Sequence, residues 1–193
     1  MKRKTLLALS AIPLALLLSS CFVLQGFWIN GNSIVAGGKA TKATFKIRPA
    51  TSTSDGAHQF FLMGVADDND LVAGKGTWGT NDAFGGPYPL SVFGGLATTI
   101  GSDCSQNGFN LADVTGVTWK GYATPTSIND KNNPNKEVIV QIGLKAIASA
   151  TITDQPVIGV TGAWVDDGDG VPEPDDDSYL CTGVSQVSVN VRA

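Results

Sequence analysis

Alternation of apolar and polar residues with a period of two recurs along most of the chain, and it strongly limits the possible folds. The apolar positions of three such segments are Ala43, Phe45 and Ile47; Val138, Val140, Ile142, Leu144 and Ala146; and Val187, Val189 and Val191. This pattern is typical of strands in an antiparallel sheet with one buried face and one solvated face. Segments 60–65 and 157–165 are more continuously apolar, which predicts central strands.

Turn-forming pairs such as Asn30-Gly31, Asp55-Gly56 and Asn107-Gly108 separate the predicted strands. Seven to nine short strands at this spacing predict an all-β fold, an antiparallel β-sandwich, with a β-barrel as the alternative. No segment shows a helical period with capping residues. Residues 71–101 are rich in glycine with scattered aromatics, and we expect an insertion or long loop there rather than a second domain.

The first 20 residues have the composition of an export signal. Lys2-Arg3-Lys4 is a positive n-region, and residues 6–18 form an apolar h-region that is too short to span roughly 30 Å of hydrocarbon. The segment ends in Leu18-Ser19-Ser20-Cys21, which resembles the lipobox of bacterial lipoproteins. The resemblance implies a signal peptide over 1–20. It also implies a mature chain that begins at Cys21, carries diacylglycerol and further acyl chains such as palmitate, and is anchored to the periplasmic or extracellular face of the cell envelope.

The segment after the predicted lipidation site, 22–29, is too apolar for a flexible tether. We therefore predict a strand that holds a single domain, residues 21–193, close to the membrane. Within it, Ile34-Val35-Ala36-Gly37-Gly38 followed by Thr44-Phe45-Lys46-Ile47 resembles the first two strands of bacterial immunoglobulin-like surface domains. That resemblance implies an immunoglobulin-like sandwich.

Removal of the signal leaves ten Lys and Arg against 17 Asp and Glu, a net charge of −7. An acidic chain without a basic patch gains nothing from the phosphate backbone of nucleic acids or from anionic lipid headgroups. We therefore expect no nucleic-acid partner, and attachment to the membrane through the lipid anchor. An envelope protein or a glycan is the expected partner.

Cys104 and Cys181 are the cysteines left after the lipidation site. An exported pair predicts a disulfide, because the compartment permits oxidation; two buried free thiols are the alternative. Closing a loop of this length would stabilise the fold by about 4 kcal/mol on the chain-entropy model.

An acidic segment, 166–177, follows the predicted strand that ends near Val165. Its spacing resembles the calcium loops of dockerin and thrombospondin type 3 repeats, and the resemblance assigns Asp167, Asp169, Glu173 and Asp176 as Ca²⁺ ligands. Val165 falls on the first ligand position and cannot serve through its side chain. A solvated acidic loop is the alternative, and no organic cofactor is expected.

A second acidic cluster, Asp67-Asp68-Asn69-Asp70, also follows a predicted strand end. In a sandwich the two clusters could lie at the same end and share a site, although an ordinary acidic turn is the more conservative interpretation.

Aromatic residues give the remaining candidates for binding. Trp28, Trp119 and Trp164 lie on predicted strands, which favours a role in the core. Trp78 lies in a glycine-rich segment with Tyr88 nearby, so these two are the candidate ligand-binding residues for a carbohydrate or a peptide, with a lid folded over the core as the alternative.

The chain offers little for catalysis. It contains a single histidine, His58, which we expect in a surface turn, and none of the common nucleophile, metalloprotease or P-loop motifs. We predict no catalytic residues and no enzymatic activity. The expected function is that of a binding or structural module of the envelope.

Overall fold

The computed structural model describes residues 23–31, 33–48, 57–66, 70–80, 86–107, 116–124, 137–150, 154–165 and 178–193. In these residues the strands are β1 (Val23–Ile29), β2 (Ser33–Val35), β3 (Thr41–Arg48), β4 (Ala57–Ala66), β5 (Leu71–Thr80), β6 (Tyr88–Pro89), β7 (Ser91–Phe93), β8 (Val117–Ala123), β9 (Val138–Ala146), β10 (Gln155–Val165) and β11 (Ser178–Arg192). A single helix, α1 (Ala97–Asn107), lies between β7 and β8 in the described part of the chain.

The strands form two sheets, so the predicted antiparallel β-sandwich is confirmed. One sheet has the order β1-β3-β9-β5-β6, and the other has the order β2-β11-β10-β4-β8-β7. Neighbouring strands pair antiparallel except β2 and β11, which pair in parallel. The described residues contain more than the seven to nine strands predicted, because β2, β6 and β7 are only two or three residues long. Segments this short carry no usable alternation.

The apolar positions of the alternating segments face the space between the sheets. Every second residue of β9, from Val138 to Ala146, is buried, as are Ala43, Phe45 and Ile47 in β3. The more continuously apolar strands β4 and β10 lie next to each other in the middle of the six-stranded sheet, as predicted.

Aromatic rings join the two sheets across the core. The ring centroid of Phe45 lies 4.7 Å from that of Phe27 and 5.6 Å from that of Phe61, which belongs to the opposite sheet. A Cβ on Gly159 would lie 2.7–2.8 Å from the Phe45 and Phe27 rings, so the missing side chain is what admits them. The close approach of the sheets therefore depends on a glycine opposite an aromatic pair.

The segment expected to be an insertion, 71–101, is instead part of the sandwich. Its first ten residues are β5, which pairs with β9 inside the five-stranded sheet. The end of the segment enters helix α1, which the sequence analysis did not predict. The helix covers the outer face of the six-stranded sheet, where Ala97, Ile100 and Cys104 join a second buried cluster with Trp119 and residues of β4 and β10.

The predicted strand after the lipidation site is present as β1. It pairs with β3 along its length, and its side chains Phe27 and Ile29 belong to the core. Within the described residues, no helix combines the length and the hydropathy needed to cross a bilayer. Cys21 and the signal segment lie outside the described residues.

Candidate binding surface

The predicted disulfide is present. Cys104 of α1 and Cys181 of β11 are joined, with their Cα atoms 5.7 Å apart, so the bond fixes the helix to the sheet beneath it. Beside it, the Tyr179 hydroxyl donates a hydrogen bond of 2.5 Å to Oδ2 of Asp103. That bond, together with burial and the negative charge of Asp103, raises the pKa of Tyr179 to about 12. These contacts fasten the helix to the sheet and so stabilise the fold.

The proposed ligand-binding pair Trp78 and Tyr88 does not form an exposed aromatic site. Trp78 lies on β5, not in a loop, and faces the core with 9% of its surface exposed. Tyr88 lies opposite it on β6 with 44% exposed, and the two ring centroids are 4.9 Å apart. Trp78 is therefore a core residue, and Tyr88 covers it at the sheet edge. This arrangement agrees with the alternative in which the two aromatic residues fold over the core as a lid.

The exposed tryptophan is Trp28, which the sequence analysis assigned to the core; Trp119 and Trp164 are buried as predicted. Trp28 is 40% exposed because its neighbours Phe27 and Ile29 occupy the inward positions of β1. A Cβ on Gly26 would lie 3.5 Å from the benzo ring, and the Trp28 Nε1 donates a hydrogen bond of 3.2 Å to Oδ1 of Asn30. The indole therefore lies lengthwise along β1, on the outer face of the five-stranded sheet.

Most of the described cationic side chains also lie on that outer face. The expectation that the chain has no basic patch is therefore wrong. Lys42, Lys46 and Arg48 alternate with the core residues of β3, Lys145 occupies an outward position of β9, and Lys75 is exposed on β5. Lys46 forms an ion pair of 2.7 Å with Glu137, at the end of the face where Arg48 lies. Lys42, Lys75 and Lys145 lie towards the other end, and no described carboxylate pairs with them.

A groove of about 760 Å³ opens between Lys75 and Lys145. Gly143 and Gly74 line it without side chains, Lys75 and Lys145 flank it, and Val72 supplies an apolar wall. The groove depends on an irregularity in β5, where the register with β9 shifts between Ala73 and Gly76. Such a bulge re-aims the side chains around it, here that of Lys75.

Two side chains from the opposite sheet hold the bulge in place. The Lys120 Nζ donates to the carbonyl oxygen of Ala73 at 2.9 Å, and the Tyr122 hydroxyl donates to that of Gly74 at 2.8 Å. Both satisfy backbone acceptors that the shifted register leaves without a strand partner. Burial raises the pKa of Tyr122 well above its ordinary value, so this bond persists over the whole physiological range.

The strands that precede the two acidic clusters end at opposite edges of the six-stranded sheet. Strands β4 and β10 are antiparallel neighbours, with Val65 opposite Val157 and Ala57 opposite Val165. The cluster that follows Ala66 and the loop that follows Val165 therefore begin at opposite ends of the sheet, roughly 27 Å apart at the usual rise per residue. The strand ends that precede the two clusters therefore lie at opposite edges of the sheet, and the shared site stays an untested expectation because residues 67–69 and 166–177 lie outside the described residues.

The proposed calcium ligands Asp167, Asp169, Glu173 and Asp176 lie outside the described residues. Among the residues that the structure does describe, no group of three or more His, Cys, Asp or Glu side chains is placed to hold a metal ion. The single histidine, His58, belongs to β4 opposite Trp164, not to a turn as expected.

Comparison with known proteins gives no family. No protein-family model and no curated protein matches the chain. Solved structures that overlap with it include AvmM, which catalyses macrocyclisation in alchivemycin A biosynthesis, at 11% identity and a TM-score of 0.47 over 90% of this chain and 88% of that one. The N-terminal domain of the Streptococcus gordonii adhesin Sgo0707 overlaps at 8% identity and a TM-score of 0.48, over 89% of this chain and 32% of that one.

The full-length major pilin SpaD from Corynebacterium diphtheriae overlaps at 11% identity and a TM-score of 0.45, over 89% of this chain and 33% of that one. The chain thus spans only 32% and 33% of the adhesin and pilin structures. At this level of similarity none of the three assigns an activity to this chain.

Proposed function

We propose that the chain is an exported protein anchored by lipid to the bacterial cell envelope, and that its sandwich is a binding module without catalytic activity. The observation that carries the proposal is the sequence Leu18-Ser19-Ser20-Cys21 placed directly before a strand of the folded domain. Two or three acyl chains, at about 0.8 kcal/mol for each buried CH₂ group, would anchor the protein far more firmly than one chain.

The short connection constrains how the domain would be held. Only one residue separates Cys21 from β1, so an extended backbone spans at most about 7 Å between the lipidated residue and the sandwich. Since Val23 lies opposite Arg48 in the register, the end of the five-stranded sheet that contains Arg48 would lie next to the bilayer. The opposite end, with Lys42 and the groove, would point away from it.

A binding role is favoured over a passive structural role by the outer face of the five-stranded sheet. That face carries an open groove lined by Lys75 and Lys145, and it also carries Lys42 and the exposed indole of Trp28; no described carboxylate pairs with these three lysines. Exposed lysines alone are ordinary at a protein surface, so the argument depends on their position beside an open groove and on the exposed indole of the same face. Binding of a glycan or peptide through Trp78, the earlier alternative, is replaced here by binding through this face.

We also propose that the acidic loop binds calcium through Asp167, Asp169, Glu173 and Asp176. The proposal rests on the spacing of the carboxylates in the sequence and on the repulsion between them without a cation. Its test is given with the other predictions in the Discussion.

Replacement of Cys21 tests the anchor. The Cys21→Ser variant should leave the membrane fraction, because acyl attachment requires the thiol. Ser20→Ala is the matched control, since it keeps the thiol and a small residue before the cleavage point. The proposal is contradicted if the wild-type protein and Cys21→Ser are equally membrane-bound after a high-salt wash.

A further inference from the structure

We propose that the outer face of the five-stranded sheet binds a linear anionic polysaccharide, with its acidic groups in the lysine groove and a sugar ring on Trp28. This inference rests on the proposed role as a binding module and names the ligand class of that module. Only its argument against a lipid headgroup uses the proposed anchor, and its test does not depend on it.

The charge of the groove residues determines the sign of the charge expected on the ligand. The groove is flanked by Lys75 and Lys145, and the residues that line it include no carboxylate. Lys42 lies opposite Gly143 in the register and reaches the same row, where its Nζ donates a hydrogen bond of 2.8 Å to Oε1 of Gln141. Two lysines thus line the opening and a third lies beside it on a protein that is acidic overall, and an anionic ligand complements them.

The shape and chemistry of the face favour a sugar chain. Trp28 on β1, Gln141 on β9 and Thr77 on β5 belong to one row across the sheet, because each is in register through Thr44 of β3. At the usual strand separation this row is about 14 Å long. The row offers the flat ring of Trp28 for stacking, and an amide and a hydroxyl for hydrogen bonds. Lys42 and Lys75 lie two residues further along their strands and supply ammonium groups.

A protein partner fits this face less well. Trp28 and Val72 are the large apolar side chains exposed on it within the described residues. A stable protein interface buries roughly 800 Å² on each partner around an apolar, well-packed centre. Trp28 lies outside the groove, and the apolar side chains that line the groove are Val72, the half-buried Ile147 and two alanines, which is too little for such a centre.

A lipid headgroup is also less suitable. The groove lies beside Lys42, whereas β1 begins opposite Arg48, six residues further along β3. That separation is about 20 Å at the usual rise per residue. A domain held at the start of β1 with its strands upright would therefore keep the groove away from the headgroups.

Binding of alginate oligosaccharides, which carry one carboxylate on each sugar, tests the proposal. Titration calorimetry would use the full chain in neutral detergent and calcium-free buffer. Three comparison ligands separate the sources of binding: neutral maltooligosaccharides for the sugar alone, polyglutamate for charge on a peptide, and dihexanoylphosphatidylglycerol for a lipid headgroup. We expect alginate to bind more tightly than each of them, and to weaken as ionic strength rises.

Variants locate the site. Lys75→Gln with Lys145→Gln should weaken alginate binding roughly fivefold to tenfold, at the strength usual for exposed charge pairs. The control is Arg192→Gln, which removes one positive charge from the other sheet; it should change the affinity by less than about twofold, whereas Lys75→Gln and Lys145→Gln should each weaken binding more than it does. Trp28→Ala should weaken binding of alginate about fivefold and leave binding of polyglutamate unchanged.

Filling the groove gives a test that leaves all charges in place. A Cβ on Gly143 would lie 3.5 Å from the Lys75 carbonyl oxygen, an ordinary contact, so Gly143→Val should fold. It should weaken alginate binding as much as the loss of both lysines. The proposal is overturned if alginate does not bind at low ionic strength, if folded Gly143→Val binds it like wild type, or if polyglutamate or the lipid probe binds more tightly with the same lysine dependence. None of these outcomes bears on Cys21, whose replacement tests the anchor separately.

Discussion

Adding one methyl group to helix α1 at Gly101 should destabilise the protein, although alanine is the better helix former. A Cβ at this position would lie 2.3–2.7 Å from three ring atoms of Trp119. Ordinary contacts begin at 3.4 Å, so helix and ring would have to separate by about 1.1 Å. The ring cannot retreat, because a Cβ on Gly64 on its other side would already lie 2.8 Å from it.

The magnitude follows from two opposing contributions. Overpacking of a rigid contact costs up to about 3 kcal/mol, whereas replacing glycine by alanine inside a helix stabilises it by about 1 kcal/mol. The net destabilisation of Gly101→Ala is therefore about 2 kcal/mol. For a domain of this size that corresponds to a decrease of about 4–8 °C in Tm.

Thermal unfolding followed by circular dichroism would measure the effect. Gly95→Ala is the matched control, because a Cβ there meets nothing within 4 Å, and its Tm should stay within about 2 °C of wild type. Near-ultraviolet spectra would show whether the environment of Trp119 changes. A Tm for Gly101→Ala equal to or above that of Gly95→Ala would refute the packing of the helix on Trp119.

The other predictions concern the disulfide, the acidic loop and pH. Replacing Cys104 and Cys181 together by Ala should cost about 4 kcal/mol and lower Tm by roughly 8–16 °C, and a decrease below about 3 °C would contradict the loop-closure argument. Millimolar CaCl₂ at matched ionic strength should raise Tm relative to a sample in chelator, because calcium at a hundredfold excess over Kd adds about 2.7 kcal/mol of stability. The double variant Asp167→Asn with Asp169→Asn should abolish this rise in Tm. An unchanged wild-type Tm would mean that the loop is a solvated acidic turn. The fold raises the pKa of Tyr179 from 10.0 to about 12. The stabilisation that the protonated Tyr179 hydroxyl gives to the fold is therefore complete below pH 10 and is lost between pH 10 and 12. Urea unfolding should therefore show that the free energy of unfolding decreases less between pH 10 and 12 in Tyr179→Phe than in wild type. Equal decreases would rule out the stabilisation by Tyr179.

Alternation predicted the strands well wherever a strand has one buried and one open face. The alternating segments that became β3 and β9, and the central pair β4 and β10, follow directly from the pattern of apolar residues. The helix could not be found in the same way. Its buried positions among residues 97–105 are Ala97, Ile100, Gly101, Cys104 and Ser105, which have helical spacing but little hydrophobic contrast. A disulfide and an aromatic ring beneath the helix supply the packing.

The candidate surface was missed for a different reason. The outward position of Lys42 is evident from alternation, but its proximity to Lys75 and Lys145 depends on the register between strands far apart in the sequence. The exchange of roles between Trp28 and Trp78 has a similar origin. Trp28 lies in a run of apolar residues that hides which face is inward, and glycines around Trp78 made a core strand resemble a loop.

Mass spectrometry of the N-terminal peptide, from protein extracted from the membranes of producing cells, tests the central proposal most directly. A lipoprotein should have Cys21 as its first residue, with a mass increase equal to diacylglycerol in thioether linkage and with or without a further acyl chain on its amino group. A mature chain that begins at another residue, or that carries Cys21 as an unmodified thiol, would contradict the proposal.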